Sequence, residues 1–268
     1  MSEPLALSAS LAVCPGDDLS RSAAADLATQ LHLPQLPMST DPRLCDSAEA
    51  LLLVFVDGIA LQITGKKAPG PVAVDFGAAA MRHRRGAGHN ELLGKAVGVG
   101  KKAPLFVVDA TAGLGRDSFI LADLGVDVTC CERNSVAAAM LRSGLALAQQ
   151  STDPWLAHTA ARINLIAGDA TDLAASVLAD VDVIYLDPMF PQREKTAAVK
   201  KEMALFQLLL RNEQDSNEAL LSWALGCPVA RVVVKRPPKA PPLAGKAPSH
   251  NIKGKAVRYD VYVLRGLS

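Results

Sequence analysis

From residue 105 onward the chain repeats one pattern: a short aliphatic run, a turn carrying glycine or an acid, then a segment with helical spacing. Strands are expected at 105–110 (LFVVDA), 126–133 (VDVTCCER), 163–170 (INLIAGDA), 181–187 (VDVIYLD), 230–237 (ARVVVKRP) and 257–265 (VRYDVYVLR). Helices are expected at 116–125 and 135–150, near 171–179, over roughly 196–211, and at 219–225. Strands that alternate with helices return to one sheet as parallel neighbours, through right-handed crossovers. The pattern therefore implies an α/β fold, whose ligand crevice lies at the carboxyl ends of the strands. Half of the 268 residues are hydrophobic, which is enough to bury a sizeable core.

The beginning of the chain reads differently. LLLVFVDGIALQIT (51–64) is two β-rich runs around Asp57-Gly58, a hairpin signal. PVAVDF (71–76) adds a third strand, residues 17–32 have helical spacing, and the polar cluster 34–44 reads as a loop. A small α+β subdomain is expected over 1–90, with the larger domain over 91–268. Between them, MRHRRGAGHNELLGKAVGVGKK (81–102) is a basic, glycine-punctuated connector with a helical stretch at 90–97. The proline-rich stretch 237–248 reads as a long loop.

Composition narrows the class. The 28 Lys and Arg against 27 Asp and Glu give a formal charge of +1, which argues against a uniformly cationic protein but allows a local basic patch. The five cysteines have no framework spacing, and adjacent Cys130 and Cys131 face opposite sides of a strand, so reduced thiols in the cytoplasm are expected. The acidic first residues do not resemble a secretory signal, and the apolar run 51–56 is too short to span a bilayer. The five histidines show no metal spacing, so no metal is expected. Trp155 and Trp223 read as core residues.

Four acids fall at four successive strand ends: Asp109, Glu132, Asp169 and Asp187. The first strand runs into VVDATAGLGRDSF (107–119), where Gly113 and Gly115 precede a helix. Such a turn is either a tight structural corner or a place where a ligand approaches the helix; a dinucleotide turn would carry a third glycine where Ser118 stands. Glu132, close to twenty residues further on, has the position of an acid that accepts hydrogen bonds from ribose hydroxyls. Carboxylate clusters also bind Mg²⁺. The glycines and the ribose-type acid favour a nucleoside instead, and an acidic rim without a P-loop disfavours pyrophosphate.

The last of these acids opens Asp187-Pro188-Met189-Phe190, which resembles the Asp/Asn-Pro-Pro-Tyr/Phe motif of enzymes that methylate exocyclic or amide nitrogens, with Met189 where proline is usual. An aryl amine is a poor nucleophile because its lone pair is delocalised. A carboxylate and a backbone carbonyl that accept its two hydrogens align that lone pair with the methyl donor. Asp187 with the Pro188 carbonyl would form this clamp, and Phe190 would stack on the base. The alternative reading of the stretch is a plain turn.

DATAGLGRDSF, CERN, VIYLDPMFP, KKEM and RVVVKRP, in this order, resemble the ribosomal RNA small-subunit methyltransferase J family over most of residues 50–265. The resemblance implies a Rossmann-like class I methyltransferase that uses S-adenosylmethionine to make N2-methylguanosine near the 3′ end of 16S rRNA. Its partner would be the small ribosomal subunit or an assembly intermediate. The resemblance also implies cofactor contacts at Arg116 and Asp117, at Glu132 and Arg133, at Asp169 and Ala170, and at Asp187, beside the turn formed by Asp109, Gly113 and Gly115. RNA contacts are expected from Arg82, His83, Arg84 and Arg85, from Lys195, Lys200 and Lys201, and from Lys235 and Arg236, against the alternative of ordinary solvated charge. Two rival functions are a nicotinamide-dependent dehydrogenase, disfavoured by the missing third glycine, and a non-catalytic RNA-binding assembly factor.

Overall fold

The computed structural model describes residues 9–86, 91–188, 204, 205, 207–209 and 217–267. Met189, Phe190, Lys195, Lys200 and Lys201 lie outside the described residues, as does most of the helix expected over 196–211. The chain divides into two compact units, Met1–Val74 with Glu194–Asn212 and Asp75–Arg193 with Glu213–Ser268. The boundary expected at residue 90 thus falls inside the second unit.

The first unit holds a four-stranded sheet in the order β1 (Ala9–Pro15), β2 (Ala48–Phe55), β3 (Gly58–Ile63), β4 (Val72–Ala73). The expected hairpin joins β2 to β3, with Phe55 opposite Gly58 across a two-residue turn. The third expected strand shrinks to two residues. β1 pairs parallel with β2, and helix α1 (Arg21–Leu31) connects them. Ala12 and Leu51 are buried together in this unit's core.

The second unit is built on a seven-stranded sheet. In chain order its strands are β5 (Phe106–Asp109), β6 (Asp127–Glu132), β7 (Ile163–Ala167), β8 (Val183–Leu186), β9 (Arg231–Arg236), β10 (His250–Lys253) and β11 (Arg258–Val263). In space they run β10-β11-β9-β8-β5-β6-β7. All pairs from β7 to β9 are parallel, and β11 is inserted antiparallel between β9 and β10. This is the expected α/β, Rossmann-like sheet. The central strands are covered on both faces, so they read as unbroken hydrophobic runs. All four residues of β8 are buried, and Ile184 and Leu186 share a core with Leu221 and Ala224 of α8 (Asn217–Gly226). Each such buried aliphatic side chain is worth about 1.5–3 kcal/mol.

Helices α2 (Ala79–Gly86), α3 (Glu91–Val97), α4 (Arg116–Asp123), α5 (Ser135–Gln149), α6 (Pro154–Ala160) and α7 (Ala175–Leu178) complete this unit. The side chain of Asn134 starts α5 by accepting from the N–H groups of Val136 and Ala137, directly after β6 ends at Glu132. Pro154 in the first turn and the Asp153 cap start α6, which the hydrophobic pattern alone does not announce. β10 is also unannounced: its pattern of three exposed residues in four has no buried face to betray it. No described helix is long and apolar enough to cross a membrane.

Candidate active site

The parallel register carries Asp109, Glu132, Asp169 and Asp187 to one edge of the large sheet, Asp109 and Glu132 as the last residues of β5 and β6, the other two just past β7 and β8. Their environments set them apart. Asp109 is 1% exposed, and both of its oxygens serve its own loop: one accepts from the Thr111 N–H (3.1 Å), the other from the Ser118 hydroxyl (2.6 Å). Burial pushes its carboxyl up to about 7, against those two hydrogen bonds. Asp109, expected among the cofactor contacts, is instead turned inward. Ser118, at the position of the missing third glycine, is its hydrogen-bond partner.

The turn after β5 is tied to the neighbouring strand. The Ala112 N–H donates to the Cys131 carbonyl (3.0 Å), and the Gly113 N–H donates to Glu132 Oε2 (2.7 Å). Glu132 Oε1 accepts from the Asn134 N–H (2.8 Å), so one carboxylate joins the glycine turn to the start of α5. Gly115 has φ +73°, and a Cβ there would lie 2.4 Å from Leu141 Cδ1; only glycine fits. Asp169 is half-buried and accepts from the Thr171 N–H and hydroxyl (2.8 and 2.7 Å). Partial burial opposes its charge, but the Thr171 bonds and the Arg133 charge hold its carboxyl below the usual range. Ala170 is buried behind it, while Arg116 and Arg133 are exposed.

The feature that sequence reasoning missed is a buried ionic chain. Lys235 Nζ lies 2.6 Å from Asp117 Oδ2 and 2.7 Å from Asp187 Oδ2. The Tyr185 hydroxyl donates to Asp117 Oδ2 (2.7 Å), and Arg84 approaches Asp117 Oδ1 at 3.4 Å. Two carboxylates and two cations balance. Burial works against the charge of Asp117, but Lys235, Arg84 and Tyr185 hold its carboxyl down at about 2. Asp187 goes the other way: burial, which Lys235 only partly offsets and the Asp117 charge reinforces, raises its carboxyl above the ordinary value. Burial also opposes the Lys235 charge, yet the two carboxylates outweigh it and keep the ammonium protonated. The Asp187 N–H donates to the Thr111 hydroxyl (2.6 Å), which fixes the chain where it enters Pro188, itself buried.

The expected RNA contacts separate. Lys235 lies in the ionic chain. Arg236 is 4% exposed and donates to the Pro241 carbonyl (2.6 Å), so its charge is spent inside the fold. Arg82, Arg84 and Arg85 lie on α2, and each meets an acid: Asp153 at 2.7 Å, Asp117 at 3.4 Å and Asp123 at 3.2 Å. The guanidinium groups of Arg82 and Arg85 also sit 5.1 and 4.9 Å from the centre of the Trp155 ring, whose Nε1–H donates to Asp123 (2.7 Å).

The residues present fit a nucleoside cofactor that carries no phosphate: a carboxylate at the end of β6, a polar, half-buried acid past β7, and open space beside Gly168. A family profile described as "Putative SAM-dependent methyltransferase" matches residues 36–264. A crystal structure of an S-adenosylmethionine-dependent methyltransferase from Neisseria gonorrhoeae is 36% identical with a TM-score of 0.70, and the match covers 96% of this chain and 97% of that one. Fold, rim and profile together define an S-adenosylmethionine-dependent methyltransferase. At the level of sequence, the ribosomal RNA small subunit methyltransferase J of Marinobacter nauticus is 46% identical over 247 residues, 90% of this chain and 87% of that one. Its counterpart in Thioalkalivibrio sulfidiphilus is 46% identical over 253 residues, 92% and 94% of the two chains. The chain belongs to the ribosomal RNA small subunit methyltransferase J family.

Proposed function

We propose that this enzyme methylates the exocyclic N2 amine of a guanosine near the 3′ end of 16S rRNA, in the cytoplasm, on the small ribosomal subunit or an assembly intermediate of it. The names of the relatives support the rRNA substrate. The observation that carries the choice of an amine is the carboxylate of Asp187, fixed at the end of β8 with one oxygen committed to Lys235.

S-adenosylmethionine supplies an electrophilic methyl group on a sulfonium. The Glu132 carboxylate would accept the ribose hydroxyls beside its bonds to the Gly113 and Asn134 N–H groups, while the 109–117 turn and the Asp169-Ala170 pair would frame the rest of the cofactor. With Oδ2 of Asp187 held by Lys235, Oδ1 remains to accept one amine hydrogen, and the Pro188 carbonyl accepts the other. The lone pair of the nitrogen then points away from both acceptors, towards the methyl group. As the N–C bond forms, the bond from the methyl carbon to sulfur would break and leave a neutral thioether, and the nitrogen would become cationic and have to lose a proton. A carboxylate with a raised pKa is a better acceptor for it, so Asp187 both orients the amine and takes its proton. Lys235 is a positioning residue that fixes the carboxylate. Phe190, two residues past Pro188, is assigned to stacking on the base, and Arg82 and Arg85 offer their half-exposed guanidinium groups to the RNA.

The test is methyl transfer from labelled cofactor to small-subunit rRNA, followed by nucleoside mass spectrometry. N2-methylguanosine is the expected product. Methyladenosine or methylcytidine would assign the clamp to another base, and no transfer to any RNA would overturn the proposal.

A further inference from the structure

From Ala219 to Tyr259 the chain contains eight Lys and Arg and neither Asp nor Glu, in a protein whose overall charge is nearly balanced. The structure sorts these cations into two groups. Arg231, Arg236 and Arg258 are buried, and Lys235 belongs to the active site. Lys239, Lys246, Lys253 and Lys255 are exposed; Lys246 reaches the Ser222 hydroxyl (3.4 Å), and among the described residues none of the other three has an ion-pair partner. The α2 arginines differ, since each already faces a carboxylate.

The fold places the three free lysines at the active-site end of the sheet. Lys253 is opposite Arg258, and Arg258 is opposite Arg236, one residue past Lys235. Three strand spacings of about 4.8 Å separate β8, which carries Asp187, from the β10 edge, on the order of 15 Å. Lys255 sits in the turn between β10 and β11, closed by the Gly254 N–H on the Val257 carbonyl (2.7 Å). That turn is packed closely: a Cβ on Gly254 would lie 2.7 Å from Leu92 of α3. Lys239 stands on the proline loop, whose carbonyls at Pro238 and Pro241 accept hydrogen bonds from the buried Arg258 (3.1 Å) and Arg236 (2.6 Å). The buried arginines thus stiffen the loop that displays the exposed lysine.

We infer that Lys239, Lys253 and Lys255 form a docking platform for the phosphate backbone of the substrate RNA, flanking the bound nucleotide on the β10 side of the active site. The inference rests on the proposed RNA substrate. Ammonium groups without carboxylate partners release phosphate counterions in full, whereas paired guanidinium groups must first give up an acid. A platform on an edge strand and a pinned turn positions the backbone without reading the bases, which leaves selection of the nucleotide to the clamp.

The experiment compares the full-length protein with the triple variant Lys239→Gln, Lys253→Gln, Lys255→Gln, titrating single-stranded RNA from the 3′ end of 16S rRNA at several salt concentrations. The variant is expected to bind on the order of tenfold or more weakly at moderate salt, with the log–log salt slope reduced by about 2, since each lost single-strand phosphate contact removes about 0.7. Cofactor affinity should stay unchanged, and the corresponding triple arginine variant should restore the slope. A variant that keeps the wild-type RNA affinity and slope overturns the platform. Loss of binding to vesicles of anionic lipid with RNA binding intact also overturns it. Methyl transfer by the wild-type protein is scored separately, so failure of the proposed reaction and failure of the platform are told apart.

Discussion

Replacing Lys235 by methionine removes the ammonium between Asp117 and Asp187 while keeping an unbranched stem of similar length. In the folded protein the ammonium touches both carboxylates, at 2.6 and 2.7 Å, with only 22% of its side chain exposed. Removing one partner of a buried ion pair costs about 3–5 kcal/mol. The cost here falls below that range, at about 2–3 kcal/mol, because the Asp187 side chain is 33% exposed and Asp117 retains Arg84 and Tyr185. The catalytic effect is separable from the loss of stability. Lys235 lowers the carboxyl pKa of Asp187, so without it that pKa moves further up. The base is then ionised only at higher pH, and the acid limb of the kcat profile shifts upward. With Asp187 no longer fixed, kcat at neutral pH should fall on the order of a hundredfold, the scale for losing a preorganised polar group at a reacting centre. Lys235→Arg should recover part of the rate. The assay is single-turnover methyl transfer across a pH series at a temperature where the variant is folded, alongside RNA titration at several salt concentrations. A variant whose acid limb stays in place, while its RNA salt slope flattens, would make Lys235 a phosphate contact and refute the positioning role.

Three further substitutions probe the rim. Asp187→Ala should leave most cofactor affinity intact yet slow methyl transfer about a hundredfold or more; a normal rate in this variant means that the stretch after β8 is only a turn. Glu132→Ala should weaken S-adenosylmethionine binding by about 1–3 kcal/mol in calorimetry, and unchanged affinity would remove it from the ribose. Asp109 has a folded pKa of about 7, raised by burial from 3.8. Its contribution to stability is fully present below the unfolded pKa and is lost as pH rises through about 7, by up to about 4 kcal/mol. Urea midpoints should therefore decline between about pH 4 and 7 in the wild type and less steeply in Asp109→Asn; parallel profiles would refute this.

The repeating strand–turn–helix pattern was enough to place β5, β6, β7, β8, β9 and β11 and to bring Glu132, Asp169 and Asp187 to one edge. Period and turn chemistry are local, and they are written in neighbouring residues. The partners of Lys235 are not: Asp117 is 118 residues away and Asp187 is 48, so the same Lys-Arg-Pro tripeptide reads as exposed basic surface until the strand order is known. Arg236 misleads for the same reason, since its burial depends on a proline loop folding back over it. β10 escaped because an edge strand with exposed side chains carries no alternation. The helix expected at 90–97 is α3, but the arginines of the connector lie on α2, which was not expected, and they find Asp117, Asp123 and Asp153 only through the tertiary fold.

The stacking of two guanidinium groups on Trp155 has a practical side. The chain holds two tryptophans, and the other, Trp223, packs against the core around β8 and α8. Indole emission responds to nearby charge and to the partner of its N–H, and at Trp155 all three of these neighbours, Arg82, Arg85 and Asp123, belong to the contact between α2 and the rest of its unit. In a Trp223→Phe background the remaining ring becomes a built-in optical reporter of that helix. RNA that draws either arginine away from the indole would then be seen directly as a change in colour or intensity, with no label attached.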